Sequence, residues 1–215
     1  MGALFSTEEF AKLKTELVLY KCALKNMGTR VETLLEEFSN LQENNPIEHV
    51  KSRLKTPESI AAKLHRRGIP LTAENARTKL TDIAGIRCIC SYARDISALA
   101  EILSRQPDIN ILKKRDYVNT PKDSGYRSYH LIIEVPIYLT FKTEYLPVEV
   151  QIRTQAMDFW ASLEHKVRYK FNDEMPEPII RNLFECAEKI AELDAQMFEI
   201  QDVANWTRQK KPPCL

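Results

Sequence analysis

The hydrophobic period of this chain changes twice, and that change restricts the fold more than any other feature. From about residue 7 to 44, apolar residues recur at alternating intervals of three and four, which predicts a long helix with one apolar seam. A similar seam predicts a helix over 178–203. Between them, short β-branched runs and strict alternation predict strands. Helices, then a mixed sheet, then helices is the order of an α+β fold with long terminal helices.

The central part is predicted element by element. The basic stretch 47–67 is predicted to be helical, with a fresh helix from Pro57, because proline is tolerated in a first helical turn. The predicted strands are 83–90, 109–113, 126–135 and a last hairpin of 141–145 with 148–153; the predicted helices are 95–104 and 156–169. We expect one domain over 1–206, with its core at 47–170 and a flexible tail at 207–215.

Composition excludes several classes of protein. The chain has 31 Lys and Arg against 30 Asp and Glu, so no bulk charge attracts nucleic acid or a membrane surface. Its five cysteines are odd in number and form no Cys-x-x-Cys pair, which favours reduced thiols in the cytoplasm over disulfides or a zinc ribbon. No apolar run is long enough to span a membrane.

Phosphate binding, if present, must come from side chains. The five glycines form no Walker-type or Rossmann-type loop. Lys51, Arg53 and Lys55 share one face if the chain is extended there, and Ser59 and Lys63 share one face of a helix. These residues could cradle a triphosphate and place a guanidinium on a base. The alternative is a solvated basic surface.

A second candidate lies at the start of the strand 83–90. Asp82 can be held rigidly there and can bind Mg²⁺, while Gly85 allows a ligand to approach the strand and Arg87 lies near the same end. The alternative is an ordinary aspartate in a turn.

A third candidate is the basic loop that leads into the strand at 126–135. Its cations are Lys113, Arg115 and Lys122. Tyr126, Ser128 and His130 share one strand face, where a tyrosine ring could stack on a nucleobase and an imidazole could bond a phosphate. The alternative is a surface loop followed by a half-buried strand.

An unusual strand face completes the set. Glu149, Gln151 and Arg153 alternate with apolar residues and point to one side. Two acids on different strands, Asp82 and Glu149, are what metal-assisted phosphoryl transfer requires. One or both can hold Mg²⁺, and one can take the proton of the attacking hydroxyl. A plain half-exposed strand is the alternative.

Three long phrases carry a resemblance. They are Asp82-Ile-Ala-Gly-Ile-Arg87, Asp116-Tyr-Val-Asn-Thr-Pro-Lys122-Asp-Ser-Gly-Tyr126-Arg-Ser-Tyr-His130 and Glu149-Val-Gln-Ile-Arg-Thr-Gln-Ala-Met-Asp-Phe-Trp-Ala-Ser-Leu-Glu-His165. In this order, over roughly 15–200, they resemble the synthetase domain of RelA/SpoT homologues, and the length resembles a stand-alone small alarmone synthetase. The resemblance implies a nucleotidyltransferase-like fold, a mixed sheet of about five strands flanked by helices. It also implies transfer of pyrophosphate from ATP to the 3′-hydroxyl of GTP or GDP.

The resemblance assigns roles to individual residues. On the ATP side it implies that Arg53 and Arg87 sandwich adenine and that Lys55, Ser59 and Lys63 contact the phosphates. The acceptor residues it implies are Lys113, Arg115 and Lys122 in a phosphate-binding loop, Tyr126 stacked on guanine, His130, Gln151, and Asp158, where some relatives carry Asn. Asp82 and Glu149 are implied as the catalytic acids, with Asp82 on Mg²⁺.

Two further classes of function stay open on the sequence. One is an RNA-binding regulator with weak catalysis, and the other is the same transfer to an ATP or tRNA acceptor. The apolar seams of both terminal helices predict a homo-oligomer, and the resemblance favours a tetramer, with contacts near Leu17, Leu24, Leu193 and Met197. RNA and the product nucleotide are the candidate regulators.

Overall fold

The computed structural model describes residues 4–41, 45–171 and 174–209. Its helices are α1 (Thr7–Leu41), α2 (Pro57–Arg66), α3 (Ala73–Lys79), α4 (Ala93–Ser104), α5 (Gln155–Lys170) and α6 (Glu177–Gln209). Its strands are β1 (Ile47–Leu54), β2 (Ala84–Cys90), β3 (Asn110–Asp116), β4 (Tyr129–Tyr138) and β5 (Thr143–Thr154). The predicted α+β fold, with a five-stranded sheet between two long helices, is confirmed.

The sheet is mixed, as expected. Its strand order is β1-β2-β5-β4-β3, with β2 and β5 parallel and the other three pairs antiparallel. Val148, Val150 and Ile152 of β5 belong to the main apolar cluster, so Glu149 and Gln151 project from the opposite face. The long helix α1 contacts four of the five strands and buries its seam in that cluster, including Tyr20, Met27 and Val31. One face of the sheet is therefore core, and the other carries polar groups.

The prediction of helix over the start of 47–67 is wrong. Residues 47–54 form the edge strand β1, which pairs antiparallel with β2, and the helix α2 begins at Pro57. The strand buries Ile47 and leaves most of its other side chains exposed, so it lacks the apolar alternation by which a half-buried strand is recognised. Pairing with β2 determines its conformation.

The predicted hairpin of 141–145 with 148–153 is also wrong. Residues 143–145 and 148–153 belong to the single strand β5, and the chain reverses earlier, where the N–H of Leu139 bonds the carbonyl of Lys142 at 2.9 Å. Pro147 lies within β5, one residue before Val148, where pairing with β2 begins. Proline therefore precedes the doubly paired part of the strand and does not begin it.

Other bounds differ by a few residues. The strand β4 begins at Tyr129, three residues after the predicted start at Tyr126, and β3 extends to Asp116. The short helix α3 was not predicted; Thr72 caps it by accepting from the N–H of Asn75 at 3.1 Å. The helix α6 reaches Gln209, so it includes the first residues of the predicted tail, and 210–215 lie outside the described residues, as do 42–44 of the predicted first helix.

Candidate active site

Strand register builds two rows of side chains across the polar face of the sheet. The first row is Arg115, His130, Gln151, Arg87 and Lys51, one residue from each strand, and the second is Lys113, Ile132, Glu149, Gly85 and Arg53. Directly opposed residues on neighbouring strands project to the same side. Residues far apart in the sequence are thereby placed side by side, with Glu149 near the middle.

One cleft lies over the β1 and β2 side of these rows. It has a volume of about 530 Å³ and is lined by Lys51, Ser52, Arg53, Lys55, Asp82, Gly85, Ile86, Arg87, Glu149 and Gln151. Three of the predicted ATP-side residues, Arg53, Lys55 and Arg87, are among them. Because Gly85 has no side chain, the floor between Glu149 and Arg53 stays open.

Asp82 is held at the edge of this cleft by two lysines. Its Oδ2 accepts from Nζ of Lys55 and from Nζ of Lys63, each at 2.5 Å. Burial raises the pKa of Asp82, but the two ammonium groups outweigh it, so the pKa lies below its ordinary value. Burial, together with the charges of Lys63 and Arg53, lowers the pKa of Lys55 below its ordinary value despite the bond to Asp82. Ser59 lies in the first turn of α2, where its N–H bonds Oγ1 of Thr56 at 3.3 Å.

A second cleft of about 560 Å³ lies on the β4 and β3 side. Its lining residues are Asp82, Arg115, Tyr117, Lys122, Ser124, Tyr126, His130, Glu149, Gln151, Glu164 and Arg168. Asp82, Glu149 and Gln151 line both clefts. The two acids therefore lie where the clefts meet. Each cleft is large enough for part of a nucleotide.

Glu149 receives a bond at each oxygen. Nδ1 of His130 lies 3.2 Å from Oε1, and Nε2 of Gln151 donates to Oε2 at 2.9 Å. Burial raises the pKa of Glu149, but its hydrogen bonds with His130 and Gln151 bring the pKa below its ordinary value. Glu149 is therefore a carboxylate at neutral pH.

Tyr126 is enclosed by charged and aromatic groups. Nζ of Lys122 lies 4.7 Å from its ring centroid, and the ring of Tyr117 meets it edge-on at 6.1 Å. Its hydroxyl lies 2.9 Å from Nε2 of His130 and accepts from Arg153 at 2.6 Å. Burial raises the pKa of this phenol, so it stays protonated.

Arg153 is the main site residue that the role assignments missed. Only 4% of it is exposed, and its guanidinium donates to the side chains of Ser128, Tyr126, Gln151 and Asp158. Its position in the alternation of β5 was visible in the sequence, but its partners lie on other elements. Tyr117, Glu164 and Arg168 were also missed; the spacing of Glu164 and Arg168 on α5 allows an ion pair, which the structure has at 2.6 Å.

Four predicted residues lie outside the linings of both clefts, namely Ser59, Lys63, Lys113 and Asp158. Lys113 is exposed on β3, two residues from Arg115. Oδ1 of Asp158 accepts from Arg87 at 2.9 Å and from Arg153 at 3.3 Å, so this carboxylate lies between the two guanidinium groups.

Few of the described side chains in the site could bind a metal ion. Within the described ranges, no cluster of three or more His, Cys, Asp or Glu side chains forms a preassembled metal cage. Oδ1 of Asp82 is nevertheless buried without a hydrogen-bond partner, which is the kind of atom that a cation satisfies. Mg²⁺ is commonly held by one or two carboxylates together with substrate phosphates and water, so these residues fit it.

Comparisons with known proteins identify the family to which the chain belongs. Residues 52–174 match the family described as the region found in RelA / SpoT proteins. The chain is 46% identical over 188 residues to GTP pyrophosphokinase YwaC of Bacillus subtilis, covering 87% of this chain and 90% of that protein. It is 34% identical over 200 residues to GTP pyrophosphokinase YjbM of the same organism, covering 91% and 93%.

Solved structures give the same result. Small alarmone synthetase 1 of Bacillus subtilis, bound to its product pppGpp, superposes with a TM-score of 0.82 at 35% identity, over 88% of this chain and 96% of that one. A GTP pyrophosphokinase family protein of Streptococcus pneumoniae superposes with a TM-score of 0.84 at 32% identity, over 97% and 100%. No described helix is long and apolar enough to cross a membrane. With the family match, the two full-length relatives and the shared fold, the chain belongs to the RelA/SpoT family, among its small alarmone synthetases.

Proposed function

We propose that this protein transfers pyrophosphate from ATP to the 3′-hydroxyl of GTP or GDP, releasing AMP and forming pppGpp or ppGpp. The observation that carries the proposal is the meeting of two clefts at Asp82 and Glu149. The cleft over β1 and β2 takes ATP, and the cleft over β4 and β3 takes the acceptor nucleotide.

The reaction needs one base and strong neutralisation of phosphate charge. Glu149 removes the proton from the 3′-hydroxyl, whose oxygen attacks the β-phosphorus of ATP. The bond between that phosphorus and the oxygen it shares with the α-phosphate breaks, and AMP leaves with that oxygen. Such transfers depend mainly on positioning and on charge stabilisation.

The ATP side uses the basic residues of β1, α2 and β2. Arg53 and Arg87 flank adenine, and Lys55, Ser59 and Lys63 contact the phosphates. In the structure both lysines bond Asp82. When phosphates enter, the lysines exchange this carboxylate for phosphate oxygens, which frees Asp82 for a cation.

Mg²⁺ is the cation that fits this chemistry. Asp82 would hold it, with Glu149 as the neighbouring acid, and the ion supplies Lewis-acid polarisation of the transferred phosphates. The unpartnered Oδ1 of Asp82 supports the assignment.

The acceptor side uses the loop between β3 and β4. Tyr126 stacks on guanine, while Lys113, Arg115 and Lys122 neutralise its 5′ phosphates. His130 and Gln151 position the ribose end beside Glu149. For Asp158 we keep the proposal of a contact to guanine, although its bonds to two arginines leave it less free to make one.

The test of the proposal is a transfer assay with labelled ATP and one acceptor at a time. GTP or GDP should yield a labelled product in the presence of Mg²⁺, whereas ATP or tRNA as the better acceptor would replace the proposal. Retention of RNA with no transfer to any acceptor would support the RNA-binding alternative.

Glu149→Gln tests the base. It should lower kcat at least about 100-fold, the low end for the loss of a general base, with the fold unchanged. Glu144→Gln is the matched control: it lies on the same strand, pairs with Arg77, and lines neither cleft. A Glu149→Gln protein with near-normal kcat would contradict the role of Glu149.

We also propose a homotetramer in the cytoplasm, where both nucleotide substrates occur. On α6, Leu193, Met197 and Ile200 are 53%, 49% and 62% exposed, whereas Leu17 and Leu24 of α1 pack partly against the core. The main interface is therefore expected on α6. Light scattering should give about four times the 24.9 kDa chain mass. A monomer mass would refute the assembly.

A further inference from the structure

Two chains of hydrogen bonds run from Arg153 to the two oxygens of Glu149. In one, Arg153 donates to the Tyr126 hydroxyl at 2.6 Å, that oxygen lies 2.9 Å from Nε2 of His130, and Nδ1 of His130 lies 3.2 Å from Oε1 of Glu149. In the other, Arg153 donates to Oε1 of Gln151 at 2.8 Å, and Nε2 of Gln151 donates to Oε2 of Glu149 at 2.9 Å. Both oxygens of the carboxylate are thus held from one guanidinium.

The chemistry of the two ends determines the direction of the bonds that Arg153 and Glu149 make themselves. A guanidinium only donates and an ionised carboxylate only accepts. Tyr126 therefore accepts from Arg153. In a neutral His130 ring, Nδ1–H donates to Glu149, and Nε2 accepts from the Tyr126 hydroxyl. The amide of Gln151 has its oxygen toward Arg153 and its nitrogen toward Glu149 for the same reason.

Arg153 is itself held firmly. It is 4% exposed, its Nε donates to Oγ of Ser128 at 3.2 Å, and Asp158 accepts from it at 3.3 Å. Four of its five N–H groups therefore have hydrogen-bond partners, so the planar guanidinium has little freedom to change its orientation. A lysine has one compact ammonium in place of the planar fork and cannot reproduce this geometry.

We infer that Arg153 is a positioning residue that orients Glu149 through these two chains, so that a free lone pair of the carboxylate faces the 3′-hydroxyl. The inference rests on the proposed function. Arg153 itself contacts neither nucleotide in this scheme, and its effect on the reaction passes through Glu149.

Kinetics separates this role from a merely structural one. Arg153→Lys should lower kcat about tenfold or more, while KM for ATP stays within about twofold. Arg77→Lys is the control: Arg77 also joins two carboxylates, of Glu16 and Glu144, but lines neither cleft. It should lower the unfolding temperature with kcat unchanged.

A double-mutant cycle tests the path. If Arg153 acts through Glu149, adding Arg153→Lys to Glu149→Gln should change kcat by less than about threefold, since the carboxylate to be oriented is already gone. A further tenfold loss in the double variant would overturn the inference, and so would an unchanged kcat in Arg153→Lys.

Nitrogen NMR of the histidine-labelled wild-type protein tests the bond directions without turnover. His130 should be a neutral ring with its proton on Nδ1. A proton on Nε2, or on both nitrogens, would overturn the path through Tyr126. An enzyme that shows the expected ring but transfers nothing from ATP to GTP would refute the proposed function alone, whereas an active enzyme with an additive cycle would refute the inference alone.

Discussion

Gly125 offers a sharp test of how the acceptor loop is held. Its φ of +82° lies in the left-handed region, and a Cβ added there would lie 2.5 Å from Cβ of Ala187 on α6. The N–H of Gly125 bonds the carbonyl of Lys122 at 2.8 Å, and the N–H of Lys122 bonds the carbonyl of Tyr126 at 3.2 Å. Any shift at Gly125 therefore reaches the ring that we place on guanine.

Gly68 makes the matched control. Its φ is +65°, but an added Cβ would meet nothing within 4 Å. Gly68→Ala therefore introduces the same strain in the backbone conformation without a steric clash. Gly68 follows the C-terminal end of α2. Its N–H bonds the carbonyl of His65 at 2.9 Å, and the N–H of Ile69 bonds the carbonyl of Leu64 at 3.0 Å. An alanine in this conformation costs about 1–2 kcal/mol.

The difference between the two variants isolates the contact with α6. Overpacking typically costs about 1–3 kcal/mol, so Gly125→Ala should be less stable than Gly68→Ala by that amount. For a chain of this length, 1 kcal/mol corresponds to about 2–4 °C in Tm. Calorimetry should thus place Gly125→Ala about 2–12 °C below Gly68→Ala.

Kinetics and a second-site change complete the test. Gly125→Ala should raise KM for GTP several-fold with KM for ATP nearly unchanged, and Gly68→Ala should leave both constants unchanged. Adding Ala187→Gly removes the facing Cβ and should restore KM for GTP, although glycine within α6 costs about 1 kcal/mol of stability. Equal Tm values for the two alanine variants, or no recovery in the double variant, would refute the packing argument.

Three single sites give further expected outcomes. Gly28→Ala, within α1 where an added Cβ meets nothing within 4 Å, should raise the free energy of unfolding by about 0.5–1 kcal/mol in urea titration; a loss of stability would contradict the open space. Asp82→Asn should lower kcat, measured with Mg²⁺, at least about 100-fold. It should also lower the free energy of unfolding by about 1–3 kcal/mol, because two lysines lose the carboxylate that they share. A normal kcat would exclude Asp82 from the chemistry. Burial raises the pKa of Cys88 to about 12, so at pH 8 only about 10⁻⁴ of this thiol is ionised. Peptide mapping after alkylation should therefore find Cys186 modified and Cys88 protected until the chain unfolds. Rapid labelling of Cys88 in the folded protein would refute its burial.

The sequence predicts those elements in which the spacing of the apolar residues reflects which side chains are buried. The seam of α1 is visible because residues such as Leu13, Tyr20 and Met27 pack on the sheet at helical spacing. The strand β2 is visible because five of its seven residues are buried and apolar, which gives a short apolar run broken by Gly85 and Arg87. The edge strand β1 shows no such pattern, since its exposed residues are polar or charged, and its conformation follows from pairing with β2.

The site shows the same limit in a different form. Alternation within one strand correctly puts Glu149 and Gln151 on one face, but only the register between strands places Gln151 between His130 and Arg87. A shift of one residue in that register would move every polar side chain to the opposite face. The rows that join the two clefts therefore depend on long-range pairing, which no local pattern encodes.

Asp158 shows how the fold limits the interpretation of a charged residue. From the sequence it lies in the first turn of the helix predicted over 156–169, and the family resemblance implies a contact to guanine for it. In the structure Arg87 and Arg153 both donate to its Oδ1, and an acid between two guanidinium groups reduces their mutual repulsion in a partly buried place. Both arginines come from β strands that are adjacent only in the folded sheet. The identity of a charged residue shows what it can bind, whereas the fold determines whether a neighbouring side chain has already taken that capacity.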